Sequence, residues 1–224
     1  MKITVRYDIF ALCLRRHDGR MEINMNNKAM FKISYGLYIL TAHENGKDNG
    51  CIINTLMQVT TTPNRVSIIV NKQNYTHDMI HRTGVFNATA LSTGAGFELF
   101  KHFGFQSGRD TEKFAPNSAL PRSENGVIYM PVSTSAYVSG KVINEIDLGT
   151  HTMFIADVTD CDVLSDEEPL TYAYYHANIK PKPQPTQKSG YRCKICGYVY
   201  EGDSLPEDFI CPLCKHGAAD FEKI

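Results

Sequence analysis

The sequence predicts a mainly β protein that carries a small, metal-stapled domain at its C-terminal end. Three observations lead there. Strand-type segments recur from Phe31 to about Ala177, a stretch alternating proline with polar residues comes next, and four cysteines in two short knuckles occupy the last 32 residues. Seven β-branched and aromatic stretches read as strands: Gly36 to Ala42, Cys51 to Thr60, Arg65 to Asn71, Val85 to Leu91, Val127 to Val132, Ala136 to Asn144 and His151 to Leu164. Asn, Gly, Pro and Asp turns separate them. The run from His151 to Val163 alternates as a strand with one buried face does. Two short helices, Thr76 to Arg82 and Gly96 to Phe103, interrupt the series, and Thr76 is the expected cap of the first. So many strands in one stretch call for a barrel or a sandwich.

The organisation along the chain is read as four parts. Residues 1–29 fit poorly with the regular pattern that starts at Phe31, and native translation is expected to begin at Met21, Met25 or Met30; mass spectrometry of protein made from its natural locus would test this. Residues 30–176 form the β domain. Residues 177–190 carry Pro181, Pro183 and Pro185 between polar residues, a pattern that cannot hold a sheet and favours an extended, semi-rigid linker. Residues 191–224 form the tail domain.

Composition narrows the function classes. The chain has 224 residues, 42% of them hydrophobic, and a formal net charge of −1. There is no basic stripe interleaved with aromatics, so nucleic acid is not an expected partner. No apolar run approaches the ~20 residues of a membrane helix. Four metal-spaced cysteines plus the isolated Cys13, Cys51 and Cys161 describe a reducing, cytoplasmic setting. Gly94-Ala95-Gly96 lacks the third glycine of a dinucleotide fingerprint, since Leu99 stands there, and no Gly-Lys-Ser/Thr phosphate loop occurs.

The tail holds the strongest signal. Cys193-x-x-Cys196-Gly197-Tyr198 and Cys211-Pro212-x-Cys214 place four thiols as one tetrahedral set, whose softness selects zinc or iron without deciding between them. About 35 residues bury too little core to fold without such a staple, so a structural zinc ribbon is one reading. The residues around the thiols bear on the choice. Tyr191, Gly197-Tyr198, Tyr200, Leu205-Pro206, Asp208-Phe209, Cys211-Pro212 and Asp220-Phe221 together resemble a rubredoxin, which implies one iron ion and one-electron transfer. Only 14 residues separate Cys196 from Cys211, as in rubredoxin modules fused to other domains. Lys215 follows the fourth cysteine where glycine is usual, and a left-handed backbone there would cost a lysine roughly 1 kcal/mol.

The β domain carries a second constellation. Asn49-Gly50-Cys51-Ile52-Ile53-Asn54-Thr55-Leu56-Met57-Gln58-Val59-Thr60 with Pro63, then Val66 to Thr76, resembles the flavin reductase-like family. Gly84-x-Phe86-Asn87, Phe103 to Phe114, and Leu148-Gly149-x-His151-Thr152-x-Phe154-Ile155 extend the match over nearly all of residues 31–176. With the tail, the whole resembles the high-molecular-weight rubredoxins, fusions of a flavin reductase with a rubredoxin. That resemblance implies a split-barrel FMN-binding domain, a homodimer with FMN near the subunit interface, and a flavodiiron protein as redox partner.

The residue types agree with a flavin site. Asn54, Thr55 and Gln58 can serve a flavin ring edge, while Thr60, Asn71, Lys72 and Thr76 offer hydroxyls, a point charge and a helix N-terminus for a phosphate. Ser107, Arg109 and Lys113 are further phosphate candidates. Without a ligand, the same residues would be strand-edge, capping and solvated loop groups. His151 is the candidate catalytic residue: the resemblance places it near the flavin, where it could position a nicotinamide or tune proton delivery, and the alternative is a hydrogen-bonded histidine at the start of a strand. His77 and His81 sit at i, i+4 spacing, but the glutamate of a His-Glu-x-x-His site is absent, so a solvated helix face is expected.

These parts make one functional expectation. NADH or NADPH gives two electrons together, an iron held by four thiolates takes them singly, and a flavin can deal with both. Tethering keeps the iron centre at high effective concentration beside the flavin, and Glu201, Asp203, Glu207 and Asp208 give the tail an acidic face for an acceptor protein. The alternative is a flavin-binding carrier that oxidises no NAD(P)H and ends in a zinc ribbon; a further one takes its electrons from a ferredoxin or another reductase.

Overall fold

The computed structural model describes residues 14–17, 20–23, 26–114, 119–181 and 190–224. Most of the expected N-terminal extension and residues 182–189 of the expected linker lie outside the described residues. The chain divides into two compact units, Met1–Ser34 and Tyr35–Ile224. The first holds an antiparallel pair, β1 (Leu14–His17) and β2 (Arg20–Ile23), and a 3-10 turn over Asn27–Lys32.

The second unit begins with β3 (Tyr38–Glu44), β4 (Lys47–Ile53), β5 (Met57–Thr61) and β6 (Asn64–Asn71). Helix α1 (Tyr75–Thr83), β7 (Val85–Leu91), helix α2 (Phe97–Gly104), β8 (Thr134–Asp147) and β9 (His151–Val163) come after them. These strands form one antiparallel sheet in the order β4-β3-β7-β8-β9-β6-β5. Strands from opposite ends of that ladder meet inside it. Cys51 and Ile53 of β4 share a core with Val66, Ile68 and Val70 of β6, with Phe86, Phe154 and the α1 residues Met79 and Ile80. The sheet therefore closes into a split barrel. Phe86 and Phe154 are fully buried, each stabilising the fold by about 1.5–3 kcal/mol. A second core under α2 joins Phe100, Phe103 and Phe114 to Leu37, Leu91 and Tyr175.

Three sequence expectations are corrected. The expected strand from Cys51 to Thr60 is two strands, because the chain breaks at Asn54–Leu56 and β4 starts four residues earlier, at Lys47. Asn45 and Gly46, at φ 50 and 77, make the tight turn that pairs Glu44 with Lys47, as Asn-Gly does in a hairpin whose turn needs two left-handed residues. The stretch from Val127 to Val132 is not a strand. Val127 and Ile128 are buried as a plug: their carbonyls accept from Asn87 Nδ2 at 2.7 Å and Thr41 Oγ1 at 2.5 Å, and the backbone pairs with Pro121–Ser123 through an isolated bridge rather than with a barrel strand. Thr76 does not cap α1; Asn74 holds the cap position, without a side-chain cap bond, and Thr76 is buried as the second residue of the helix.

The tail is a three-stranded sheet, β10 (Tyr191–Cys193), β11 (Val199–Tyr200) and β12 (Phe221–Lys223), in the order β11-β10-β12. Its small core is aromatic. Phe209 stands between Tyr200 and Phe221 at 4.8 and 5.4 Å between ring centres.

Candidate functional site

The two cysteine knuckles repeat one another bond for bond. Gly197 N donates to Cys193 O and Lys215 N to Cys211 O, each at 2.9 Å, while Cys193 N and Cys211 N donate to Tyr198 O and His216 O, each at 2.8 Å. A left-handed residue closes each loop, Gly197 at φ 79 and Lys215 at φ 62. The Lys215 backbone is thus as the sequence predicts. The amide of Tyr198 bonds the Cys196 sulfur, those of Leu213 and Cys214 bond Cys211, and that of His216 bonds Cys214. Such donors favour thiolates.

The four Sγ atoms all lie within 4.8 Å of one another. Cys193 and Cys214 are 3.6 Å apart, and Cys196 and Cys211 3.5 Å. A tetrahedral ion with metal–sulfur bonds of about 2.3 Å needs edges of about 3.8 Å, so the cage fits one ion. Burial pushes Cys196 up to about 11 and also raises Cys214. Cys211 goes the other way: burial would raise it, but the amides of Cys214 and Leu213 together with the Cys214 and Cys196 thiols lower it. Uptake of an ion by this set displaces protons and is favoured as pH rises. Among the described residues these cysteines are the one cluster of metal-ligating groups.

A cleft of about 600 Å³ opens between β4, the start of α1 and the loop after α2, and Pro212–Lys215 of the second knuckle complete its wall. Its size suits a small-molecule ligand. Of the sequence-predicted flavin residues it gathers Asn71, Thr76, Ser107, Arg109 and Lys113. Lys113 is only 6% exposed and donates through Nζ to Gly50 O at 2.8 Å and Phe103 O at 2.9 Å. Burial lowers its pKa, partly offset by the nearby Cys51 thiol. Ser107 accepts from Arg109 N at 3.2 Å. Arg109 bonds Asp78 at 2.5 Å and lies over the Tyr75 ring, which also carries Lys47. Burial would raise Asp78, but His77 and Arg109 hold its carboxyl below the ordinary range.

The remaining candidates stand elsewhere. Asn54 and Thr55 occupy the break between β4 and β5, and the Thr55 hydroxyl donates to Ile69 O at 2.6 Å. Gln58 and Thr60 are exposed on β5, bonded to Asn64 Oδ1 at 2.8 Å and Pro63 O at 2.6 Å. Lys72 bridges to Asp147 at 2.6 Å. His151 opens β9, half-buried, opposite Asn71 in the ladder, and shares a hydrogen bond of 2.8 Å with Thr150 Oγ1. The expected solvated pair of histidines is half right. His81 is exposed beside Glu145, whereas His77 is 8% exposed and bonds Asp78 Oδ1 and Thr152 Oγ1. The carboxylate only accepts, so Nδ1 carries a proton.

The candidate set left out Asn49. It is 2% exposed, donates to Thr76 Oγ1 at 2.9 Å, and keeps an Oδ1 that has no donor. A Cβ at Gly108 would overlap that oxygen, so the loop after α2 reaches this wall only as glycine. A buried acceptor without a donor costs about 1–3 kcal/mol unless a ligand supplies one, which fits a hydroxyl-bearing cofactor such as a flavin nucleotide. The signal for Asn49 was the Asn45-Gly46 turn, which sets the register of β4.

Comparison with known proteins now bears on these sites. Residues 30–181 match the Flavin reductase like domain family, and residues 191–222 match the Rubrerythrin, rubredoxin-like domain family. The chain is 38% identical to a high molecular weight rubredoxin of Moorella thermoacetica, over 89% of this chain and 100% of that protein. It is also 38% identical to a ferric-chelate reductase (NAD(P)H) of Archaeoglobus fulgidus, over 72% of this chain and 95% of that protein. The solved structure of flavin reductase PheA2 superposes with a TM-score of 0.54 at 25% identity, over 66% of this chain and 93% of that one.

Proposed function

The chain belongs to the flavin reductase like family and ends in a rubredoxin-like domain, and from this premise we propose that it is an NAD(P)H-dependent oxidoreductase that passes electrons through FMN to a one-iron centre and on to an acceptor protein. The observation that carries the proposal is the shared wall. Cys214, a ligand in the metal cage, lines the same cleft as Asn71, Thr76, Ser107 and Lys113.

The chain's own residues divide the work. The N-terminus of α1, Lys113 and Ser107 favour an anionic phosphate in the cleft. Asn54, Thr55 and Gln58 remain proposed for a flavin ring edge and Thr60 and Lys72 for a phosphate, although none of the five lines this cleft. His151, opposite Asn71 in the ladder, would position the nicotinamide and hold a proton. When bound, flavin supplies the exchange between paired and single electrons. Cys193, Cys196, Cys211 and Cys214 would hold iron, and the amide donors to their sulfurs stabilise the thiolate set.

A homodimer is supported by the edge strand β5, exposed at every residue, with Met57 and Val59 at 62% and 41%. A flavodiiron protein is the proposed acceptor class, for which Glu201, Asp203, Glu207 and Asp208 offer an exposed acidic face. Among the described residues no helix is long and apolar enough to cross a membrane, and the proposed setting is cytoplasmic. Steady-state oxidation of NADH and NADPH, with and without an added one-electron acceptor, tests the reading. Turnover that needs both nicotinamide and acceptor supports it, and no nicotinamide oxidation under either condition refutes it.

A further inference from the structure

The residue that joins the metal cage to the cleft breaks an ordinary backbone rule. Lys215 adopts φ 62, while Gly197 fills the matching place in the first knuckle. Glycine takes this conformation without penalty and lysine does not, so an outlier here calls for a use of its side chain. That side chain is exposed and lines the cleft with Arg109, which is paired with Asp78, and Lys113, whose ammonium is held by the Gly50 and Phe103 carbonyls, against a single acidic lining residue, Asp110. The N-terminus of the nine-residue helix α1 adds positive potential from the barrel side. Asn49, deep in the same wall, holds its unmatched Oδ1. Cations on facing walls together with an unmatched acceptor describe one ligand chemistry, a phosphate ester on a polyhydroxyl chain.

We propose that Lys215 is a clasp: its ammonium completes the phosphate wall of the cleft, so that a bound nucleotide phosphate draws the metal-bearing knuckle onto the barrel. The clasp rests on the proposed flavin site and adds to it a coupling between nucleotide occupancy and the hold on the metal. That coupling runs both ways, because binding free energies are reciprocal. The phosphate comes from FMN or from a nicotinamide dinucleotide, and separate titrations distinguish the two.

Full-length, metal-loaded, flavin-free protein is titrated with FMN, riboflavin and NADH, for wild type, Lys215→Gln and Lys215→Arg. Both variants keep a Cβ, so the backbone demand is unchanged. The expected result is an FMN Kd raised about fivefold in Lys215→Gln, an unchanged riboflavin Kd, and recovery in Lys215→Arg. A loss confined to NADH assigns the phosphate to the dinucleotide and equally supports the clasp. In a second readout, metal release to a chelator slows on FMN addition (NADH if the dinucleotide is the source) in wild type and not in Lys215→Gln. If wild type binds FMN and Lys215→Gln binds FMN and NADH as tightly, the clasp is overturned and the flavin reading stands. Equal weakening of FMN and riboflavin also overturns it, since the phosphate would then play no part. Wild type that binds no flavin overturns both.

Discussion

Replacing Lys215 by glycine should make the tail hold its metal more firmly, although the change deletes a charge and a side chain. The backbone of Lys215 sits at φ 62, and a left-handed conformation costs a non-glycine residue roughly 1–2 kcal/mol. Glycine removes that cost but loosens the unfolded chain, which returns about 0.4–1 kcal/mol. The net gain is of the order of 0.5–1 kcal/mol. A domain this small folds around its ion, so the gain is read in metal retention, and 1 kcal/mol corresponds to about fivefold. Chelator competition on flavin-free protein measures it directly. Lys215→Ala is the control, because alanine loses the charge yet keeps the Cβ. Retention should rise in Lys215→Gly and stay near wild type in Lys215→Ala. Glycine and alanine variants that behave alike, or a glycine variant that loses metal faster, would refute the strain argument.

The barrel yields three further expected outcomes. Gly108→Ala places a Cβ on Asn49 Oδ1, so thermal unfolding should show a loss of about 1–3 kcal/mol together with weaker FMN binding; unchanged values for both would remove Asn49 from the cleft. Asp48 is 12% exposed, and although burial pushes its pKa up, Arg122 and His43 hold it below 3.8. Its contribution is therefore present above pH 3.8 and lost as pH falls through the lower folded value; Arg122→Ala should cost about 1 kcal/mol at neutral pH and flatten that acid slope in denaturant titrations. Burial lowers Lys113 below 10.5 and raises Cys51 above 9.0, so the two pull in opposite directions at alkaline pH. The unfolded lysine binds the extra proton below 10.5, and stability should rise with pH there in Cys51→Ala; the unfolded thiol ionises first above 9.0, and stability should fall in Lys113→Met. Parallel slopes in both variants would contradict the burial of the pair.

The metal cage was legible because its information is local. Two thiols three residues apart, closed by a left-handed residue, specify a knuckle, and the lysine in place of glycine after Cys214 even announced the strained φ. Most strands and both helices of the barrel were legible from β-branched runs and turn residues. The errors came where a β-rich run finds other partners: Val127 and Ile128 bond Asn87 and Thr41 side chains and pair only with Pro121–Ser123, outside the barrel sheet, which no periodicity records. The start of β4 was missed at Asn45-Gly46, a turn written in the sequence, and Asn49 was lost with it. The cleft was only half legible. Asn71 and Thr76 are neighbours in sequence, but Ser107, Lys113 and the second knuckle reach the same wall only through the fold, and nothing local marks Gln58, Thr60 or Lys72 as already engaged by Asn64, Pro63 and Asp147.

The most direct measurement is an anaerobic absorbance titration of the metal- and flavin-loaded protein with NADH and then NADPH, following the flavin and ferric-thiolate bands together. Stoichiometric nicotinamide is expected to bleach both bands, the iron band through the flavin proposed for the cleft beside it. Persistence of both bands with nicotinamide in excess would contradict the account and leave a flavin carrier that oxidises no NAD(P)H; the absence of a ferric-thiolate band from protein loaded with iron would contradict it in favour of a zinc ribbon.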